Sequence, residues 1–294
     1  MITLTSLINR LPGGIAQGII WGIMALGVYV TFRVLNESDL TVDGSFATGG
    51  AVTVMLLSKQ LNPIVALIIA FFAGILCGFV TGLIHTKLKI PAILSGILVQ
   101  LALYAINLHI MNMSANVAIN IDKVDLLITI RNIPKTILVC SIIAIGLIAL
   151  MYWYFGTEQG CAIRATGNSN HMALAQGINI NNMKVLGFAL ANGLVALAGG
   201  ILSEYQGFAD INMGRGAIVI GLAAVIIGEV IFGKLFSNFG LKMFAVVIGA
   251  VIYYIVLQLV LTMGLNTNDL KLISAVIVAI FLAIPYFKGG KKNA

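Results

Sequence analysis

The chain has 294 residues, of which 60% are hydrophobic and only 9% are charged, and its net charge is +7 at pH 7. Soluble domains carry about a quarter charged residues, so a water-soluble fold could not bury this much apolar surface. The composition therefore predicts an all-α polytopic membrane protein. Basic residues occur singly, apart from Lys288, Lys291 and Lys292 near the C-terminus. This placement is typical of cytoplasmic anchoring and gives no reason to expect a nucleic-acid partner.

About nine apolar segments follow one another along the chain, and they are long enough, or nearly so, to cross a bilayer. We predict these transmembrane helices at residues 14–35, 45–57, 63–84, 92–110, 133–155, 185–202, 217–232, 241–263 and 272–287. If the C-terminal lysines are cytoplasmic, an odd number of spans places the N-terminus outside.

The two halves of the chain resemble each other weakly. Asp39–Ser45 matches Asp210–Gly216, and each stretch lies between a long apolar segment and a short one rich in small residues. Inverted repeats with interrupted helices are a transporter architecture. We therefore predict one transmembrane domain, 1–294, with two inverted four-helix repeats. Its parts are a first repeat at about 14–111, a linking helix at 133–155, a polar loop at 157–184 and a second repeat at about 185–287.

The two breaks, 39–48 and 204–216, combine carboxylates, glycines and small polar residues. They fit ordinary interfacial loops in which Asp43 or Asp210 caps a helix. They equally fit helix starts that offer free amide groups to a solute on a translocation path. On the second interpretation, the candidate path residues are Ser45, Thr48, Glu204, Gln206 and Asp210.

Two rows of glycine at four-residue spacing place small residues on one helix face: Gly14, Gly18, Gly22 and Gly74, Gly78, Gly82. Such faces allow close helix packing in a membrane, either within the subunit or between subunits.

Polar side chains inside membrane spans are costly, and most of them form hydrogen bonds between helices. In this chain the polar residues within predicted spans are Gln17, Gln100, Asn107, Asn192, Glu229 and Gln258.

The polar loop at 157–184 contains a short predicted helix, which Asn168 or Ser169 can begin and Gly177 can end. The run Glu158…Gly160…Ala162-Ile-Arg164-Ala-Thr-Gly167-Asn168…Ala173…Ala175…Gly177-Ile resembles the cytoplasmic coupling loop of ABC importer permeases of the branched-chain amino acid and ribose group. Asp39–Gly44, Lys89–Ala92 and Asn268–Ser274 are similar to the same family, so the resemblance covers essentially the whole chain.

The resemblance implies a type II importer transmembrane subunit in the plasma membrane of a prokaryote. Its implied partners are cytoplasmic ATP-binding cassette subunits, a second permease copy or paralogue, and an extracytoplasmic solute-binding protein. The residues that match the coupling motif are Glu158, Gly160, Arg164, Gly167, Asn168 and Gly177. The family favours a hydrophobic or aromatic amino acid as the solute.

No Gly-x-x-x-x-Gly-Lys-Ser/Thr phosphate loop occurs in the chain, so ATP hydrolysis is expected in a separate subunit. We expect no catalytic residue, no metal site and no cofactor, since His85, His109 and His171 are isolated in the sequence. Two other functions stay open at this point: a free-standing secondary transporter, and an importer permease for a sugar or nucleoside.

Overall fold

The structure is a computed structural model that describes residues 4–120, 126–233, 235–236 and 238–262, and single positions between 272 and 283. Over these residues the protein is almost entirely helical. The helices are α1 Leu4–Tyr29, α2 Thr41–Ser58, α3 Pro63–Lys87, α4 Ala92–Ile110, α5 Ile133–Phe155, α6 Glu158–Asn168, α7 Asn170–Ala175, α8 Ile180–Gln206, α9 Ala217–Phe232 and α10 Phe239–Thr262. A π-helical turn, Val30–Val34, extends α1, and the two short strands are β1 Asn116–Ala118 and β2 Phe208–Asp210.

Six segments within the described residues are long and apolar enough to cross a membrane. They are Leu11–Val34, Pro63–Lys87, Ala92–Ile110, Ile133–Phe155, Ile180–Gln206 and Phe239–Val260. The helices α2 and α9 are shorter, at 18 and 16 residues. The protein is thus a polytopic helical membrane protein, as its composition predicts. Of the predicted span at 272–287, the structure describes only single positions, so most of that prediction lies outside the described residues.

Several helix boundaries differ from the sequence prediction. Helix α1 begins at Leu4 rather than at 14, α3 ends at Lys87 rather than at 84, and α8 ends at Gln206 rather than at 202. Helix α8 begins at Ile180 rather than at 185, because the Asn179 side chain accepts a hydrogen bond from the Asn182 backbone and starts the helix there. Helix α2 begins at Thr41 rather than at 45. In contrast, α5 and α9 have the predicted bounds.

The helices pack in a pattern that is symmetric between the two halves. Helix α1 packs along α10, and α3 packs along α8; α2 contacts α3 and α8, while α9 contacts α10 and α1. Exchanging α1, α2 and α3 with α8, α9 and α10 leaves this pattern unchanged. An inverted repeat would produce such an exchange. The repeat itself stays a proposal, which these contacts support.

Both glycine rows lie inside this subunit, as close helix packing predicts. A Cβ atom on Gly18 would lie 2.6 Å from the Cα of Val251 in α10. A Cβ atom on Gly78 would lie 2.1 Å from the carbonyl oxygen of Phe188 in α8. The two rows therefore serve the α1–α10 and α3–α8 contacts, where any side chain would force the backbones apart.

The strands β1 and β2 pair antiparallel, with Asn116 opposite Asp210 and Ala118 opposite Phe208. This pairing joins the connection after α4 to the connection after α8. It lies on the side of the membrane where both helices end, opposite the α6–α7 loop.

Candidate functional site

The two breaks in the helical pattern meet inside the protein. The Asp43 carboxylate, in the first turn of α2, accepts hydrogen bonds from the backbone N–H of Gly216 at 2.9 Å and of Ile218 at 3.0 Å. Gly216 precedes α9 and supplies no side-chain cap, so Asp43 satisfies the free amide groups of another helix. Asp43 therefore does cap a helix, but that helix is α9 rather than α2, in which Asp43 itself lies. Its carboxylate holds the starts of the two short helices together.

The matched aspartates of the two breaks have the same local geometry. The Asp39 carboxylate accepts a hydrogen bond from the Thr41 backbone at 2.9 Å, and the Asp210 carboxylate accepts one from the Asn212 backbone at 2.7 Å. Both are turns in which aspartate binds the amide two residues further on. Asp210 thus supports its own loop rather than the start of α9.

A buried polar network joins the first break to α8. The Asn192 amide donates to the Asp39 carboxylate at 2.6 Å and to the Phe188 carbonyl at 3.0 Å, and it accepts from the Ser45 hydroxyl at 2.6 Å. Asp39, Ser45 and Asn192 are all buried. Asn192 thus hydrogen-bonds between helices, as expected for an amide inside a span, and it satisfies groups that lipid could not.

The candidate path residues occupy different environments. Ser45, Thr48 and Glu204 are fully buried, and the Thr48 hydroxyl donates to the Gly44 carbonyl of its own helix. Gln206 and Asp210 are partly exposed. The Glu204 carboxyl lies close to the Leu127 backbone. Neither of its oxygens has a hydrogen-bond partner of normal geometry among the described residues. Their place on a translocation path stays a prediction.

The polar loop contains two helices rather than one. The predicted short helix is present as α7: the Ser169 hydroxyl caps it by accepting from the Met172 backbone, and Gly177 follows it with a φ of 77°. Helix α6 precedes it and was not anticipated. The Thr157 hydroxyl caps α6 by accepting from the Gly160 backbone at 3.4 Å, and Glu158 lies in its first turn, where an acid favours the helix dipole.

Two motif glycines allow α6 to pack directly against the membrane helices. A Cβ atom on Gly160 would lie 2.3 Å from the Tyr154 carbonyl oxygen at the end of α5. A Cβ atom on Gly167 would lie 1.8 Å from the Val34 carbonyl oxygen in the π-helical turn after α1. No other residue would allow this packing, so α6 is anchored under α1 and α5.

The remaining motif residues are exposed. Glu158, Arg164 and Asn168 are all solvent-accessible, and the Arg164 guanidinium lies over the Phe239 ring at 5.0 Å, which ties α6 to the start of α10. Helix α7 exposes two apolar side chains, Met172 and Leu174, on an otherwise polar loop.

Two ion pairs lie on the coupling-motif side of the protein, one between the polar loop region and the linker before α2 and one between the end of α1 and α9. Lys184, in the first turns of α8, pairs with Glu37, and the His85 ring nitrogen Nε2 lies 3.7 Å from the same carboxylate. Partial burial alone would raise the pKa of Glu37, but the hydrogen bonds from His85 and Lys184 outweigh it and hold that pKa below its usual value. Arg33 pairs with Glu229 of α9. The sequence predicts Glu229 only as a polar residue inside a span, and no pattern in it singles out Glu37 or Lys184.

Comparison with known proteins identifies this architecture. Residues 11–285 match the family described as branched-chain amino acid transport system / permease component. The chain is 36% identical over 268 residues to a tyrosine transport system permease protein of Clostridioides difficile, which covers 91% of this chain and 88% of that protein. It is 32% identical over 277 residues to the uncharacterised protein RP368 of Rickettsia prowazekii, covering 94% of this chain and 97% of that protein.

More distant similarity extends to sugar permeases. The chain is 28% identical over 200 residues to the ribose import permease protein RbsC of Escherichia coli K12, which covers 65% of this chain and 60% of that protein. No solved structure matches the chain significantly. The family match spans nearly the whole sequence, so the protein belongs to the branched-chain amino acid transport permeases, the multi-pass membrane subunits of ABC importers that work with separate ATP-binding subunits and a solute-binding protein.

Proposed function

We propose that this permease imports an amino acid with a hydrophobic or aromatic side chain. The tyrosine permease of Clostridioides difficile supports this assignment, because its similarity extends over 91% of the chain at 36% identity. The ribose permease of Escherichia coli is 28% identical over 65% of the chain. A sugar is therefore the second candidate solute.

In this proposal the coupling loop, residues 157–184, receives the force of ATP hydrolysis, and Glu158, Gly160, Arg164, Gly167, Asn168 and Gly177 shape it. The observation that carries the proposal is the exposure of apolar residues on α7, where Met172 is 66% and Leu174 is 59% exposed. Apolar side chains at the tip of a polar, water-exposed loop indicate a surface that docks into another protein. Because α6 packs directly against the ends of α1 and α5, a displacement of α7 would be transmitted to these membrane helices.

The functional importer contains two permease subunits, which are copies or paralogues, with the solute-binding protein on the side opposite the coupling loop. Many exposed apolar side chains on α3, α4 and α5 leave ample surface for lipid and for a second subunit. The inverted repeat, 14–111 and 185–287, supplies the two halves that rock around the path. Ser45, Thr48, Glu204, Gln206 and Asp210 mark that path, because they lie at or beside the two breaks.

A matched pair of substitutions tests the docking surface. Met172→Glu places a charge on α7, whereas Met113→Glu places the same charge at a residue of equal exposure, 67%, beyond the opposite end of α4. We expect Met172→Glu to abolish co-purification of the ATP-binding subunits and ATP-dependent uptake of L-tyrosine. Met113→Glu should keep both.

Uptake in proteoliposomes that contain the complete importer tests the solute. L-tyrosine, L-leucine and D-ribose are offered separately, with ATP inside the vesicles and the solute-binding protein outside. Accumulation of L-tyrosine or L-leucine but not D-ribose supports the amino acid assignment. Accumulation of D-ribose alone contradicts it, and retention of the ATP-binding subunits by Met172→Glu contradicts the docking surface.

A further inference from the structure

A small cavity lies between α2, α4 and the connection that follows β2. Its volume is about 280 Å³, and its lining includes Asp43, Gln100, Tyr104, Asn107 and Arg215. This is close to the lower end of the range for small-molecule sites, roughly 300–1,000 Å³. Gln100 lies about 12 Å and Asn107 about 22 Å along α4 from its start on the coupling-loop side, at 1.5 Å per residue. The cavity therefore occupies the middle and outer parts of the membrane.

Two opposite charges line the cavity without pairing with each other. The Asp43 carboxylate is fixed by the backbone N–H groups of Gly216 and Ile218. The Arg215 side chain is exposed and makes no ion pair with any described residue. A fixed anion and a free cation in one cavity are the groups that a zwitterion requires, whereas a neutral sugar requires neither.

An unsatisfied amide oxygen adds an independent sign of a ligand. Asn107 is only 1% exposed, and its Oδ1 atom has no hydrogen-bond partner among the described residues. A buried acceptor without a donor costs roughly 1–3 kcal/mol. A ligand ammonium group in the cavity would supply the missing donor and remove this cost.

The polar lining of α4 forms one stripe. Gln100, Tyr104 and Asn107 are spaced at i, i+4 and i+7, so they lie on one helix face, while the other sides of α4 expose apolar residues such as Leu94 and Leu98. Two amides inside a membrane helix are costly unless they face protein or water. The stripe therefore faces α2 and the cavity rather than lipid.

We propose that this cavity binds the zwitterionic head of an α-amino acid during transport, with Arg215 on the carboxylate and with Asp43 and Asn107 on the ammonium group. Tyr104 and Leu101 provide the apolar wall for the side chain. The inference rests on the proposed function, because it assumes an amino acid solute. It also explains how the permease would reject sugars.

Protection of an engineered cysteine tests the cavity directly. Leu101→Cys is introduced together with Cys161→Ser, which removes the exposed native thiol and leaves the buried Cys77 and Cys140. The complete importer in right-side-out vesicles is treated with a membrane-impermeant methanethiosulfonate. The added probes are L-tyrosine, tyramine, which lacks the carboxylate, 3-(4-hydroxyphenyl)propionate, which lacks the ammonium group, and D-ribose.

We expect L-tyrosine to slow the labelling of Leu101→Cys, and each tyrosine analogue to need about 10-fold or more higher concentration, the usual effect of losing a charge-assisted hydrogen bond. Arg215→Gln should remove the preference for L-tyrosine over tyramine, and Arg215→Lys should restore part of it. Asn107→Leu should instead weaken the preference over the analogue without an ammonium group. Lys59→Gln, an exposed cation outside the cavity, should leave all preferences unchanged.

The outcomes separate this site from the proposed function. If L-tyrosine is transported but neither protects Leu101→Cys nor depends on Arg215, the cavity is not the site, and the amino acid assignment stands. Absence of labelling at Leu101→Cys while transport persists also overturns the site. If D-ribose alone is transported, both proposals fail. Variants are compared only after they elute as monodisperse complexes, so that misfolding is not read as lost binding.

Discussion

Replacing Asn192 by leucine tests how much the buried polar network between the first break and α8 stabilises the fold. The substitution keeps a similar volume but removes both hydrogen bonds of the Asn192 side chain to the first break. The Asp39 carboxylate then loses a donor at 2.6 Å, and the Ser45 hydroxyl loses its acceptor at 2.6 Å. Both groups are buried, so water cannot replace Asn192.

The expected loss of stability follows from the Ser45 hydroxyl, which is left without its acceptor, and from the Asp39 carboxylate, which keeps the Thr41 backbone donor but loses the Asn192 donor. Each of these two losses costs about 1–3 kcal/mol, and the apolar leucine returns about 1–2 kcal/mol through its burial. We expect a net loss in the range of about 0–5 kcal/mol, centred on about 2 kcal/mol. Asn182→Leu is the matched control, because Asn182 lies on the same helix with an exposed side chain; its effect should stay within about 0.5 kcal/mol.

Thermal unfolding of the purified permease in nanodiscs measures these effects. A second substitution, Ser45→Ala, tests whether Ser45 and Asn192 are energetically coupled. Ser45→Ala should lower the melting temperature of the natural protein, because it orphans the Asn192 oxygen. The same change should raise the melting temperature of the Asn192→Leu variant, since it deletes a group that is already orphaned. If Ser45→Ala lowers the melting temperature by the same amount in both backgrounds, the two residues are not coupled and the reasoning is refuted.

Three further predictions use the same assay. Glu204→Gln should leave the melting temperature equal or higher, because a neutral amide replaces a buried acid of the same shape; a clear decrease would show that the carboxyl has a partner. Gly78→Ala should cost about 1–3 kcal/mol, since its Cβ would lie 2.1 Å from the Phe188 carbonyl oxygen, whereas equal stability would mean that α3 can move. The pKa of Glu37 lies below its usual value of 4.5, so its pairing with Lys184 stabilises the fold at neutral pH. That contribution is lost as the pH falls below about 4.5. The melting temperature of Glu37→Gln should therefore depend less on pH in this acidic range.

Matched controls exist for two of these substitutions. Gly146→Ala in α5 should be tolerated, because nothing lies within 4 Å of its Cβ position and alanine favours helix over glycine. Lys135→Gln should leave the acid limb of the pH profile unchanged, since Lys135 is an exposed lysine remote from Glu37 in the sequence. An equal response of test and control variants would point to a general effect on the membrane domain.

Helix positions were predictable where strong local signals mark the ends. The Asn132 side chain accepts from the Lys135 backbone and begins α5, and Gly216 and Gly233 bracket α9. The start of α8 also has a local signal, the Asn179 cap, but the polar residues Asn181, Asn182 and Lys184 hide it from a hydropathy pattern. The β1–β2 pairing could not be predicted, because three-residue strands carry no periodic pattern.

The site was predictable only in part, for a different reason. The motif residues of the polar loop are close in sequence, and the caps at Ser169 and Gly177 follow from local chemistry. The role of Asp43 was not predictable, because its hydrogen-bond donors lie 173 and 175 residues away. The same holds for Glu37, whose partner Lys184 is 147 residues away. Such contacts depend on the packing of the two halves, which local patterns do not encode.

The long-range pairs connect the end of the polar loop at 157–184 to the first break through a short route along α8. Lys184 and Asn192 lie two turns apart on α8, and they contact Glu37 and Asp39, two residues apart in the linker before α2. An intact helix keeps its side chains at fixed spacing, so a shift of α8 must carry both ends of this linker segment with it. The start of α2 then moves together with the end of the polar loop. Disruption of either pair should therefore uncouple ATP hydrolysis from uptake more than it weakens docking of the ATP-binding subunits. Comparing both quantities in Lys184→Gln would decide this, since equal losses would assign Lys184 to docking alone.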